Sequence, residues 1–289
     1  MSQVVICGAK RTPMASFQGE FSTLTAAELG GVALKAALED AKTGSVDELL
    51  MGNVLSAGQG QAPARQAGFA AGLGQDVPAT TLNKMCGSGM KSTMIGYDQL
   101  ALGQANIVAV GGMESMTNAP YLLPNMRSGA RIGHGQTVDH MFLDGLEDAY
   151  DKGRLMGTFA EDCADKYQFA RTAQDDYALQ SLSNAIEAQK LGAFANEIAP
   201  VNYDTKSGQM IVSEDEQPRK ARPDKIPHLK PAFRKDGTVT AANASSISDG
   251  AAALILSTHS YAEDNGLTVR AKIMGHASHA QEPGWFSTA

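Results

Sequence analysis

Apolar positions along this chain follow two patterns. Short unbroken runs, such as Val4 to Cys7, Ile107 to Val110 and Ala251 to Leu256, predict strands buried on both faces. Other segments carry the helical spacing. Ala26 to Ala41 places Leu29, Val32 and Ala36 on one helical face. A second helix is predicted from Thr172-x-x-Asp175, which reads as a capping box. It would bury Ala178, Leu182, Ala185 and Ile186 and stop near Gly192. Glu48 to Leu55, Thr80 to Lys84 and Arg270 to His279 read as further strands. Gln61 to Gly72, with Pro63 in its first turn, and Ile95 to Leu102 read as helices. Strands alternating with helices predict an α/β fold on a parallel or mixed β-sheet covered by helices.

The texture changes after Met113. Residues 117–170 carry Asn, Pro and Gly punctuation with little sustained period, and 200–240 are polar and Pro-bearing, so both read mostly as loop. The Ile107 run is expected to end at Gly111-Gly112. Glu282-Pro283-Gly284-Trp285-Phe286 puts two aromatics near the end of the chain with nothing after them to cover them.

Composition narrows the function. Lys+Arg number 24 against 31 Asp+Glu, a formal charge of −7, which argues against binding a phosphate backbone. With 43% hydrophobic and 19% charged residues over 289 positions, the chain is globular. No run reaches the roughly 20 apolar residues of a membrane span, and the apolar N-terminal run is too short for a signal peptide. Nucleic acid and membrane are therefore not expected as partners. The three cysteines, Cys7, Cys86 and Cys163, have neither metal-ligand spacing nor a disulfide framework, so no metal is expected and a cytoplasmic location fits.

Asn83-Lys84-Met85-Cys86-Gly87-Ser88-Gly89-Met90-Lys91-Ser92 is the stretch richest in chemistry. A strand leads to a cysteine, two glycines permit a tight turn, and a helix can begin at once. A thiol there meets the positive end of the helix dipole, which favours thiolate. Lowering a thiol pKa from about 8.5 to 7 takes roughly 2 kcal/mol, whereas a helix terminus typically supplies about 0.3–1 kcal/mol. A base or cation is therefore required as well. On chemistry alone Cys86 is either a nucleophile or an inert buried thiol. Cys7, inside a strand, and Cys163, beside Glu161 and Asp162, read as structural.

Cys86 in this setting, with Gly111-Gly112-Met113-Glu114-Ser115-Met116-Thr117-Asn118-Ala119-Pro120-Tyr121 downstream, resembles the active-site cysteine region of the thiolases. Arg11-Thr12-Pro13, Phe17-x-Gly19, Gly52-Asn53-Val54-Leu55, Ala64-Arg65-Gln66, Leu155-Met156-Gly157-Thr158 and Asn243 through Gly250 extend the resemblance in order along the chain. The resemblance implies a thiolase-like fold: an N-terminal core over 1–118, an inserted loop-rich helical subdomain over 119–242, a return to the core over 243–267 and the start of a C-terminal domain over 268–289. It implies acyl transfer through a Cys86 thioester, either in thiolysis of a 3-ketoacyl-CoA or in condensation of acetyl-CoA, with the backbone N–H of Cys86 in the oxyanion hole. Ser245 corresponds to a serine contacting the pantetheine chain, Met156 to a residue lining the acyl site, and Arg219 and Phe233 to residues near the CoA nucleotide. Phe286 corresponds to an acyl-pocket position. CoA is thus substrate and product, with no separate cofactor. A homodimer or homotetramer is implied, the latter through 121–140.

Two departures stand out. Leu155 occupies a position where short-chain thiolases commonly carry histidine, which makes that wall apolar. The family's C-terminal Asn-Glu-x-Phe-Ala, Gly-His-Pro and Cys-x-Gly-Gly-Gly strings do not occur, and the six histidines, at 134, 140, 228, 259, 276 and 279, lie in other contexts. The expectation is a chain that stops partway through the fold and turns over poorly alone. The alternatives are a non-catalytic CoA- or acyl-CoA-binding module and, ranked lower, a condensing enzyme of the ketoacyl synthase type.

Overall fold

The computed structural model describes residues 3–206 and 208–289. In chain order the first elements are β1 (Val4–Arg11), β2 (Ala15–Ser16), α1 (Ala26–Ala41), β3 (Glu48–Gly52), α2 (Pro63–Ala70), β4 (Ala79–Leu82), α3 (Ser88–Ala101) and β5 (Ile107–Ser115). Then come β6 (Tyr121–Leu122), β7 (Val138–Asp139), α4 (Met156–Tyr167), α5 (Arg171–Lys190), β8 (Val201–Thr205) and β9 (Gly208–Val212). The last are α6 (Glu216–Lys220), β10 (Ser248–Thr258), α7 (His259–Asp264) and β11 (Ala271–Lys272). These elements form two compact units. The first comprises Met1–Asn118, Ala193–Glu216 and Ser248–His276; the second comprises Ala119–Gly192, Gln217–Ile247 and Ala277–Ala289.

The first unit is built on a mixed sheet in the order β11-β1-β10-β5-β3-β4, with β2 added to β10. β3 runs parallel to both β5 and β4, while β10 is antiparallel to β1 and β5. Successive residues serve opposite faces. Leu49, Met51, Ile107, Ala109, Ala253 and Ile255 pack with α1 and α2, whereas Leu50, Val108, Val110 and Leu256 pack with Leu100 of α3. Helices on both faces explain why these strands are continuous apolar runs with no polar side to spare. Cys7 lies in the α1 face of this core, where burial pushes its thiol pKa up.

Several expectations shift. The buried stripe of α1 contains Leu29 but runs through Ala33, Leu34, Ala37 and Leu38, leaving Val32 and Ala36 half-buried. The capping box belongs to α1: Thr25 accepts from the Glu28 backbone N–H and the Glu28 carboxylate accepts from the Thr25 N–H. By contrast, α5 starts at Arg171 without a side-chain cap, and Asp175 instead pairs with Arg171 at 2.7 Å. Its expected core residues Ala178, Leu182, Ala185 and Ile186 are only half-buried, and Asp175 is the buried residue of that helix.

Gly111-Gly112 does not end β5, which continues to Ser115. The polar 200–240 segment contains the β8–β9 hairpin, and strand structure in the 270–279 segment is limited to Ala271–Lys272. Residues 193–216, read within the insertion, belong to the first unit. Arg11 anchors them there through Glu197 at 2.7 Å and a two-pronged pair with Asp215 at 2.7 and 3.0 Å. Two short strands, β6 and β7, precede the second unit's helices α4 and α5. Glu161 of α4, 1% exposed, accepts from the backbone N–H groups of Thr238 and Val239 and so ties the 238–239 segment to that helix.

Candidate active site

Cys86 lies between β4, at the sheet edge, and the first turn of α3, and it is exposed. The reading of Cys86 as an inert buried thiol therefore does not describe the structure. The chain reverses through Met85, whose φ of 50° lies in the left-handed region. For a residue with a Cβ that conformation costs roughly 1–2 kcal/mol and persists only where neighbours enforce it. Those neighbours are close by. The Lys84 N–H donates to Ser88 Oγ at 2.7 Å, and Ser88 Oγ donates to the Met85 carbonyl at 2.5 Å. The Met85 N–H donates to Asn83 Oδ1 at 2.8 Å, and the Ser88 N–H reaches the Met85 carbonyl at 2.9 Å.

The start of α3 is seated directly on the sheet. A Cβ on Gly52 would stand 2.6 Å from Ser88 C and Cβ, and one on Gly112 would stand 3.3 Å from Gly89 Cα. Gly52, at the end of β3, and Gly112, within β5, thus admit the helix terminus that follows Cys86. Beneath it, the Glu114 carboxylate accepts from Asn53 Nδ2 and from the N–H groups of Val54 and Leu55 at 2.8, 2.8 and 3.0 Å. Of the histidines in this unit, His276 pairs with Asp98 at 2.9 Å and His259 with Glu263 at 3.3 Å. Asp249 of β10 is 1% exposed and accepts from the Thr117 N–H at 3.0 Å. Burial pushes its carboxyl up, the charge of Glu216 adds to that, and the Thr117 and Met116 groups oppose it.

Four of the other candidates share one region of the second unit. Leu155 is the N-cap of α4, Met156 is its first residue, and both are half-buried. The Phe233 ring lies against Gly157, where a Cβ would come within 2.2 Å of it. Phe286 meets Phe159 edge-to-face at 6.1 Å between centroids, and the Arg154 guanidinium covers the Phe159 ring at 3.8 Å. Ser245 is exposed in the loop after the 240–243 turn, which Asn243 pins to Asp175 at 3.0 Å. Arg219 is exposed on α6. Cys163 is half-buried on α4.

The sequence reading passed over Asn83, Ser88 and Glu114 as individual residues although the first two lie in the quoted stretch and Glu114 in the next. The available signal was a hydroxyl four residues after Lys84, at the first position of the helix.

The family model described as "Thiolase, N-terminal domain" matches residues 4–260. Over 292 residues the chain is 46% identical to an acetyl-CoA acetyltransferase of Schizosaccharomyces pombe, covering 100% of this chain and 74% of that protein. It is 50% identical to acetyl-CoA acetyltransferase 2 of Arabidopsis thaliana, covering 99% and 72%. A third relative, the acetyl-CoA acetyltransferase of Saccharomyces cerevisiae, is 45% identical with coverage of 100% and 74%. With the mixed sheet and the cysteine turn in place, this likeness across the whole chain settles its kinship: the chain belongs to the thiolase family.

Proposed function

We propose that this chain is an acyltransferase acting on CoA thioesters, with Cys86 as the nucleophile. The observation that carries the reading is an exposed thiol held at a strand-to-helix turn inside a sequence that belongs to the thiolases. In thiolysis, the Cys86 thiolate adds to the ketone carbon of a 3-ketoacyl-CoA. The bond from that carbon to the adjacent methylene breaks, and its electron pair leaves as the acetyl-CoA enolate, which takes up a proton. The acyl group stays on sulfur as a thioester. The thiol of free CoA then loses its proton and attacks this thioester, releasing acyl-CoA and restoring the Cys86 thiolate. In the reverse sense the acetyl-CoA enolate attacks acetylated Cys86. Both directions are ping-pong, and the backbone N–H of Cys86 supports the developing oxyanion.

Ser245, Arg219 and Phe233 are assigned to CoA, and Met156, Leu155 and Phe286 to the acyl group. The apolar Leu155 at the N-cap of α4 gives that wall no hydrogen-bonding side chain, which supports an acyl group longer than, or different from, acetoacetyl. Three free thiols support a reducing, cytoplasmic setting, and β4 at the sheet edge supports a homodimer or homotetramer. No helix among the described residues is long and apolar enough to cross a membrane.

The test is the intact mass of the 289-residue chain after incubation with acetyl-CoA. One acetyl group mapped to Cys86, and absent from Cys86→Ser, is expected. CoA binding by calorimetry with no acylation of Cys86 would overturn the assignment in favour of a non-catalytic CoA-binding module.

A further inference from the structure

Nothing in the thioester chemistry requires a serine at position 88, yet its side chain closes the turn on which Cys86 sits. Ser88 is 4% exposed. Its hydroxyl accepts from the Lys84 N–H at 2.7 Å and donates to the Met85 carbonyl at 2.5 Å, so a single oxygen spans the two residues before Cys86. Across the turn, Asn83 Oδ1 takes the Met85 N–H at 2.8 Å, and Asn83 Nδ2 reaches the Val54 carbonyl at 3.5 Å. Val54 is in turn held by Glu114 at 2.8 Å. Met85, left-handed at φ 50°, is thus bonded at both its N–H and its carbonyl by side chains that belong to neither Met85 nor Cys86. A left-handed non-glycine residue relaxes when such constraints go, and the relaxation would swing the next residue, Cys86.

From this we infer that Ser88 and Asn83 are positioning residues: they hold the Met85 turn so that the Cys86 sulfur stays where an acyl group can reach it. The inference rests on Cys86 being the acyl acceptor, and its test separates the two. Ser92 supplies the control. It is also a buried α3 serine, one turn along, and its hydroxyl bonds the Gly89 carbonyl of its own helix and Gly111 of β5 without touching the 83–86 turn.

The experiment compares wild type, Ser88→Ala, Ser92→Ala, Asn83→Ala and Asn83→Asp as full 289-residue chains. Three rates are read: amide hydrogen exchange at Lys84 and Met85, which needs no substrate, acetylation of Cys86 by acetyl-CoA, and alkylation of Cys86 by iodoacetamide. The expected result is that Ser88→Ala speeds Lys84 exchange at least tenfold and slows acetylation about tenfold, with reaction of the same thiol with iodoacetamide within about twofold of wild type. Ser92→Ala should change none of these readings beyond about twofold. Asn83 is exposed, so Asn83→Ala keeps the test open should Ser88→Ala fail to fold. It should speed Met85 exchange and slow acetylation severalfold, and Asn83→Asp, which retains the acceptor oxygen, should restore both. Acetylation in Ser88→Ala and Asn83→Ala matching Ser92→Ala overturns the inference even if exchange speeds up. Should wild type fail to acetylate while exchange still shows the lock, the acyl-acceptor reading falls and the part played by Ser88 in the turn stands.

Discussion

Replacing Gly52 by alanine tests whether the seat beneath Cys86 is as tight as the geometry implies. Gly52 ends β3, and its φ lies outside the left-handed region, so alanine meets no backbone penalty there. The obstacle is space. The new Cβ would stand 2.6 Å from Ser88 C and Cβ and 2.8 Å from Gly89 N. Carbon atoms pack at about 3.5–4.0 Å, so roughly 1 Å of movement is needed, and the atoms that must move are mainly backbone of a helical turn. Overpacking of this kind costs about 1–3 kcal/mol, while Gly→Ala returns about 0.4–1 kcal/mol by restricting the unfolded chain. The expected net loss is about 1–2 kcal/mol. Gly44→Ala is the matched control, because nothing lies within 4 Å of its Cβ position and only the unfolded-state term survives.

Urea unfolding followed by circular dichroism should lower the midpoint for Gly52→Ala with little change in slope, and leave Gly44→Ala equal to or slightly above wild type. Displacement of the α3 terminus by about 1 Å should also slow Cys86 acetylation by up to about 100-fold. Equal midpoints for the two variants, with undiminished acetylation, would refute the argument from close approach.

Further predictions concern the buried polar groups and caps. Glu161→Ala strips acceptors from the half-buried Thr238 and the buried Val239 N–H groups and should cost about 2 kcal/mol, read as faster hydrogen exchange at those two amides; unchanged protection there would count against it. Asp249→Asn should raise the melting temperature at neutral pH. The folded chain holds the Asp249 proton to higher pH than the unfolded chain does, so wild type loses stability as pH rises above about 4, and the advantage of the variant should fade on acidification. Parallel melting curves from pH ~4 to ~7 would dispose of this reading. Thr25→Ala breaks the α1 capping box and should cost about 1 kcal/mol, while Thr172→Ala, at an exposed position on a helix without a side-chain cap, should leave the urea midpoint in place.

The same residues mark how far local pattern reaches. Thr25-x-x-Glu28 and Thr172-x-x-Asp175 are equivalent as strings, yet only the first forms a box, because Asp175 has Arg171 and Asn243 as stronger partners brought in by the fold. Likewise Gly111-Gly112 resembles a terminator in the sequence, but β5 runs through it: Gly112 leaves room for Gly89 of α3, and a Cβ on Gly111 would strike the Ala252 carbonyl of β10. The β8–β9 hairpin was hidden because β9 exposes apolar residues on both faces, Met210 on one and Ile211 on the other, so no buried-polar alternation marks it.

What the amino-acid sequence alone determined is whatever local chemistry and periodicity encode. That covers the α/β class, the extent of α1, the strands buried on both faces and the cysteine placed between a strand and a helix. These are short-range consequences of apolar spacing and glycine placement. Tertiary structure alone decided that the thiol is exposed, that Ser88 and Asn83 brace the turn before it, and that Phe233 and Phe286 come against Gly157 and Phe159 in the first turn of α4, which Leu155 and Met156 open. A hydroxyl, an amide or an aromatic ring has no preferred partner until residues distant in sequence are packed against it, and that packing is a property of the folded chain.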